Sequence, residues 1–183
     1  SATKVLVFTG LGENKSTFSD ETLRRAAGAA ARALAGNSSA TFSLPAKKAA
    51  TISAIAEGAL LGAYSFNKFR VDSKVNRQAS LKSVTIYSAL AKKAEAKEAL
   101  KRAAIIGEYT CLVRDLINTP PSHLTPDSFC KEIGDLVKKV GGTSVGLKVT
   151  VMNDAQLKSK GYGGITAVGQ GSANPPRLLQ ISY

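Results

Sequence analysis

Apolar and polar positions fall into blocks along this chain, and the period changes from block to block. Residues 4–9 read Lys-Val-Leu-Val-Phe-Thr and stop at Gly10-Leu11-Gly12, a short continuous apolar run that predicts a buried strand. Ser19 then offers a cap, Asp20 and Glu21 fill a first turn, and Leu23, Ala26, Ala27, Ala30 and Leu34 recur at helical spacing until Gly36. The alanine-rich face predicts a helix lying closely on a neighbouring layer. After Pro45, a second helical stripe runs through Ile52, Ile55, Ala56, Ala59, Leu60 and Ala63, and Tyr64, Phe66 and Phe69 finish it. Gly58 and Gly62 stand four apart on it, where a neighbour can approach closely.

Residues 82–90 alternate through Val84, Ile86 and Ser88 and predict a strand. A long helix follows over residues 94–117, with Leu100, Ala103, Ala104, Gly107 and Cys111 along one side. Continuing that spacing puts Arg114 on the buried side, where a guanidinium needs carbonyl or carboxylate partners to offset its desolvation. Pro120-Pro121 must end this helix near Asn118, since two donors vanish and Thr119 is pushed out of helical geometry. Thr125 caps the next helix with Pro126 at its first position, and Phe129, Ile133, Leu136, Val137 and Val140 form its stripe before Gly141-Gly142. Val145, Leu147, Val149 and Val151 alternate as a strand, a short helix ends at Gly161, and residues 165–168 and 178–183 predict two more strands. The predicted order, β-α-α-β-α-α-β-α-β-β, is that of an α/β protein.

Composition narrows the function classes. The 183 residues carry 25 Lys and Arg against 13 Asp and Glu, a formal net charge of +12. That excess favours polyanions, with DNA as a candidate partner, but the basic residues are spread as Lys47-Lys48, Lys92-Lys93, Lys101-Arg102 and Lys138-Lys139 rather than gathered in one block. No apolar run reaches the length of a membrane span and no secretory leader opens the sequence, so a soluble intracellular chain without a membrane partner is expected. Cys111, Cys130 and His123 lack the paired spacing of a tetrahedral zinc site, and the two cysteines do not suggest a disulfide framework.

Other chemistry is poorly represented. Gly10-Leu11-Gly12 would need a third glycine where Lys15 stands to read as a dinucleotide loop, and Gln170 replaces the lysine of a phosphate loop after Gly164 to Gly169. His123 is the sole histidine, and no serine sits in a Gly-x-Ser-x-Gly elbow. Two-metal peptide hydrolysis needs converging carboxylates, whereas Glu57, Asp72, Glu95, Glu98, Glu108, Asp115, Asp127, Glu132, Asp135 and Asp154 are dispersed and read as caps and surface charges. The glycines and prolines of residues 161–176 read as tight turns and close packing, a scaffold rather than a catalyst.

Two runs nonetheless carry a strong likeness. Arg114-Asp115-Leu116-Ile117-Asn118-Thr119-Pro120-Pro121 with Leu124-Thr125-Pro126, then Gly161-Tyr162-Gly163-Gly164-Ile165 leading into Val168-Gly169-Gln170-Gly171-Ser172-Ala173-Asn174-Pro175-Pro176-Arg177, resemble the start of the catalytic domain of the leucyl (cytosol) aminopeptidase family. The phrase Ala56-Glu57-Gly58-Ala59-Leu60-Leu61-Gly62-Ala63-Tyr64-Ser65-Phe66 resembles a helix of the same family. The resemblance implies a macro-like N-terminal domain over residues 1–93, a linker helix over 94–118, and the opening of an α/β metallopeptidase domain over 119–183. It implies a cytoplasmic, homohexameric exopeptidase that releases N-terminal residues from peptides with two Zn or Mn ions. The rival readings are a basic DNA-binding module, since some bacterial relatives of that family also bind DNA, and ADP-ribose or nucleotide binding by the macro-like fold, which Gly10 to Gly12 alone hardly supports. The family's metal ligands are expected beyond Tyr183, so the chain is expected to be a fragment, inactive alone, that meets the rest of its protein and sister subunits as scaffold. No catalytic, cofactor or metal residue is therefore assigned within it. The residues carried over as structural motif are Arg114, Asp115, Asn118, Pro120, Pro121, Thr125 and Pro126, with Gly163, Gly164, Gly169, Gly171, Ser172, Pro175 and Pro176.

Overall fold

The computed structural model describes residues 5–70 and 78–183; Lys4 and Asp72 lie outside the described residues. The chain divides into two compact units, Ser1–Asp115 and Leu116–Tyr183. The architecture is α/β.

In the first unit, α1 (Asp20–Ala33) starts where Ser19 accepts a hydrogen bond from the Thr22 amide, and Asp20 and Glu21 complement the positive end of the helix. It leads to β1 (Ser39–Phe42), then α2 (Ala49–Gly62), then β2 (Ser83–Ile86). β1 and β2 pair in parallel with Ser39 opposite Ser83 and Phe42 opposite Ile86, so α2 lies within the crossover that a parallel pair requires. Leu23, Ala27, Ala31, Ile55 and Ala59 of the two helices form the core with Phe42 and Leu81. α3 (Ala94–Asn118) buries Ala96, Ala103 and Gly107.

The tightest contact in this unit is between α1 and α2, and glycine makes it. A methyl group built on Gly58 would overlap the Arg24 carbonyl oxygen, and one on Gly62 would overlap that of Gly28. The close approach predicted for Gly58 and Gly62 is present, with another helix as the neighbour rather than a sheet. Gly107 similarly admits the Leu60 side chain, which would stand 2.9 Å from an added Cβ.

In the second unit, α4 (Pro126–Lys139) is followed by a 3-10 turn (Gly142–Val145), β3 (Lys148–Met152), α5 (Asp154–Ser159), α6 (Gly163–Gly169) and β4 (Leu178–Ser182). β3 and β4 are antiparallel, with Lys148 opposite Ser182 and Met152 opposite Leu178. Thr125 caps α4 in a reciprocal box: its hydroxyl accepts from the Ser128 amide, and Ser128 Oγ accepts from the Thr125 amide.

Several expectations are corrected. Residues 5–10 form no strand: Val7 and Leu11 pack on the core and Thr9 Oγ1 donates to the Ala26 carbonyl, while Val5, Leu6 and Phe8 stay exposed. An apolar run reports burial of some side chains, not backbone pairing. The second helix stops at Gly62, leaving Tyr64, Phe66 and Phe69 beyond it, and Phe66 and Phe69 pair ring to ring at 5.9 Å. The strand expected over 82–90 is only Ser83–Ile86, because Ser88 turns aside to the Ala46 carbonyl and accepts from the Leu90 amide. Val145 belongs to the 3-10 turn, since Gly141, Gly142 and Gly146 all have positive φ and break the alternation. Residues 165–168 are helical in α6, a four-residue apolar run too short to distinguish the two periods. Leu100 and Ala104 of α3 face solvent. β1 was not predicted, because Ser39-Ala40-Thr41 reads as polar loop.

The glycine contact sets a measurable contrast. Gly58→Ala lowers unfolding free energy by about 1–3 kcal/mol through overpacking, outweighing the roughly 1 kcal/mol helix-propensity gain of alanine. Gly134→Ala in α4, where nothing lies within 4 Å of an added Cβ, is neutral or stabilising. Thermal denaturation followed by circular dichroism distinguishes the two; equal responses would contradict the contact.

Candidate functional site

The motif residues fall at two places, one in each unit. In the first, α3 carries Arg114 and Asp115 against the end of α2. Arg114 Nη1 donates to the Leu61 carbonyl at 3.1 Å, and its guanidinium lies 3.8 Å from the centre of the Tyr64 ring. The carbonyl partner expected for Arg114 is present, and the flat face of the guanidinium is used as well. Tyr64 in turn donates its hydroxyl to Asp115 Oδ1 at 2.7 Å. Leu61 sits in the last turn of α2, where carbonyls lack helical partners, so Arg114 satisfies a group that the helix end leaves open. Sequence reads Tyr64 only as an apolar helix finisher; its aromatic face two residues past the helix end is the available signal.

In the second unit, Asn118 closes α3, Thr119 donates its amide to Leu116, and the Pro120 carbonyl accepts from the His123 and Leu124 amides. Pro121 continues that turn into the Thr125 cap, and Pro126 takes the first helical position, where a missing N–H costs nothing. Gly163 and Gly164 open α6 and Gly169 closes it. Gly169 lies against the buried Pro176, whose ring would be 2.6 Å from an added Cβ. Ser172 donates its amide to Gly169 and its hydroxyl accepts from the Asn174 amide, which shapes the turn through Gly171 towards Pro175 and Pro176.

These two runs converge. Pro126, Gly164, Gly169, Ser172 and Pro176 line one groove of about 490 Å³ with Ile165 and Val168. Arg177 fixes its edge: Nε and Nη2 both lie 3.1 Å from Asp127 Oδ1, tying the start of β4 to the first turn of α4. Asp127 thus serves as more than a helix-end charge.

The acids are partly less peripheral than expected. Glu57 is a half-buried partner rather than a surface charge: it accepts from Arg24 at 3.0 and 3.1 Å and from Ser53 at 3.0 Å. Arg24 also reaches Glu21 at 2.7 Å, and the Glu21 hydrogen bond, opposed by burial and reinforced by Glu57, raises its pKa above the usual guanidinium value. Burial, opposed by the neighbouring Arg114 and Arg177 respectively, pushes the Cys111 and Cys130 thiols up, so both favour the protonated form over a metal-ligating thiolate. Among the described residues no three of His, Cys, Asp and Glu gather where they could hold a metal ion. The described side chains therefore do not fit the two-ion centre that the resemblance implies. Among them no helix is long and apolar enough to cross a membrane.

The Arg114 contact can be measured. Arg114→Lys keeps charge but loses the planar stack, and lowers stability by about 1–2 kcal/mol; Tyr64→Leu removes the ring together with its hydroxyl and costs about 1–3 kcal/mol. The double variant loses less than the sum of the two, because both act through one stack. Strict additivity in urea denaturation would contradict the stack.

Comparison with known proteins places this geometry. Residues 1–73 match the N-terminal domain of the cytosol aminopeptidase family and residues 111–183 match its catalytic domain. A probable cytosol aminopeptidase of Micrococcus luteus is 40% identical over 98% of this chain and 35% of its own length. One from Streptomyces avermitilis is 45% identical over 94% of the chain and 33% of its own. The solved structure of the bottromycin maturation enzyme BotP in complex with Mn superposes with a TM-score of 0.76 at 32% identity, covering 96% of this chain and 35% of that one. The chain spans about a third of the length of the relatives it matches. With two domains of one family matched in order and the likeness running through nearly all of its residues, the chain belongs to the cytosol aminopeptidase family.

Proposed function

We propose that these residues are the supporting part of a cytoplasmic, two-metal aminopeptidase that releases N-terminal amino acids from peptides. The observation that carries this reading is the order of the two family matches: an N-terminal domain, then the opening of a catalytic domain, in a chain one third as long as its relatives. In this reading the first unit is the accessory domain, α3 is the connector, and Arg114, held by Leu61 and Tyr64, fixes the connector to that domain. The groove lined by Pro126, Gly164, Gly169, Ser172 and Pro176 is the base on which further catalytic-domain sequence packs. Sister subunits of a hexamer are the other assembly partners.

The metal ligands belong, in this proposal, to sequence other than these 183 residues. Support comes from the dispersed carboxylates: a two-ion site needs several within a few ångströms of each other, and among the described residues no such group is present. Glu57 is held by Arg24 and Ser53, Asp115 by Tyr64, and Asp127 by Arg177. The manganese named for the related maturation enzyme is consistent with a divalent ion in the whole protein. Zinc and manganese are the two candidates.

The test is an assay on the pure chain and on the whole protein from its source, with a leucyl amide as substrate and manganese or zinc added. The whole protein releases leucine and loses activity on chelation, whereas the 183 residues alone show no metal-dependent turnover. Clear turnover by the chain alone would contradict the scaffold role, and failure of the whole protein to cleave any aminoacyl amide would contradict the activity.

A further inference from the structure

The first unit carries a second feature that aminopeptidase chemistry does not use. Between α1, α2 and the end of α3 in that unit runs an open groove of about 680 Å³, and Arg24, Arg25, Arg32 and Arg114 all line it. Its floor is lined by Gly28, Gly58 and Gly62.

The four arginines are in two different states. Arg24 is fixed by Glu21 and Glu57, and Arg114 by the Leu61 carbonyl and the Tyr64 ring. Arg25 and Arg32 are exposed and have no hydrogen-bond or ion-pair partner among the described residues. They stand seven residues apart on α1, about 10 Å along the helix axis and on nearly one face. One terminal nitrogen of Arg32 lies 3.7 Å from where a Cβ on Gly28 would be, so its head lies over the glycine floor. Among the described residues Glu21 is the one carboxylate in the lining, and it is already engaged by Arg24.

We propose that this groove binds a compact ligand bearing two or more phosphate groups, with Arg25 and Arg32 taking the phosphates and Arg24 and Arg114 forming fixed walls. Guanidinium forks match phosphate oxygens in paired hydrogen bonds, and two free forks set well apart suit an oligophosphate better than a single phosphate. The choice of a small ligand over a nucleic-acid backbone rests on extent. Arg25 and Arg32 line one groove, while other basic residues, such as Lys92, Lys101 and Lys138, are spread along the sequence rather than gathered in one block.

Calorimetric titration of the 183-residue chain at low ionic strength tests this with three probes: tripolyphosphate, inorganic phosphate and a short DNA duplex. Tripolyphosphate binds and raises the melting temperature, and Arg25→Gln with Arg32→Gln weakens it at least about tenfold. The control pair Lys138→Gln with Lys139→Gln removes the same charge from the other unit and leaves affinity unchanged. Both arginines are exposed and unpartnered among the described residues, so circular dichroism of the variant matches the parent. No heat and no thermal shift with tripolyphosphate would overturn the proposal, as would equal weakening by the lysine pair or inorganic phosphate binding as tightly. Tighter binding of the duplex per phosphate would overturn the assignment of a compact ligand.

Discussion

The close approach of α1 and α2 through Gly28, Gly58 and Gly62 is the constraint on which the rest of the first unit depends. Helix backbones touch only where side chains are missing, and here the Arg24 and Gly28 carbonyls occupy the space that methyl groups would fill. Consequences follow in sequence. Leu23, Ala27 and Ala31 are brought onto Ile55 and Ala59, so small side chains still make a continuous core. Arg24 comes within reach of Glu57 across the interface, converting two half-buried charges into a hydrogen-bonded pair whose other contacts are Glu21 and Ser53. The last turn of α2 is held where its Leu61 carbonyl meets Arg114 of α3.

The second unit is organised differently, by turns rather than by helix contact. Pro120 and Pro121 end one helix, Thr125 and Ser128 start the next, and Gly169 gives way to the Pro176 ring. Arg177 then pins the last strand to the first turn of α4 through Asp127. These residues fix the path of the backbone.

Much of this was readable in the sequence, for identifiable reasons. Helices with strong ends were placed within a residue or two, because Ser19, Thr125 and Pro126 act locally and Gly36 and Gly141 stop what they follow. The partial burial of Arg114 followed from helical spacing, and so did its need for a carbonyl or carboxylate partner. Short apolar runs misled: residues 5–9 and 165–168 have the composition of strands, but one only anchors Val7 on the core and the other winds into α6. Whether such a run pairs depends on a partner strand distant in sequence, which no local pattern encodes. Glu57 and Asp127 looked like surface charges because their arginines, Arg24 and Arg177, come from other elements. The arginine groove was hidden for the same reason, since Arg114 lies 82 positions from Arg32 and only the glycine contact unites them.

Native-state hydrogen exchange on the 183-residue chain tests the central constraint most directly. If the glycine contact joins α1 and α2 into one cooperative body, the buried amides of Leu23, Ala27 and Ala31 share a single opening free energy with those of Ile55 and Ala59, the highest in the first unit. Exchange of the α1 amides through a separate, lower-energy opening while α2 stays protected would contradict the account.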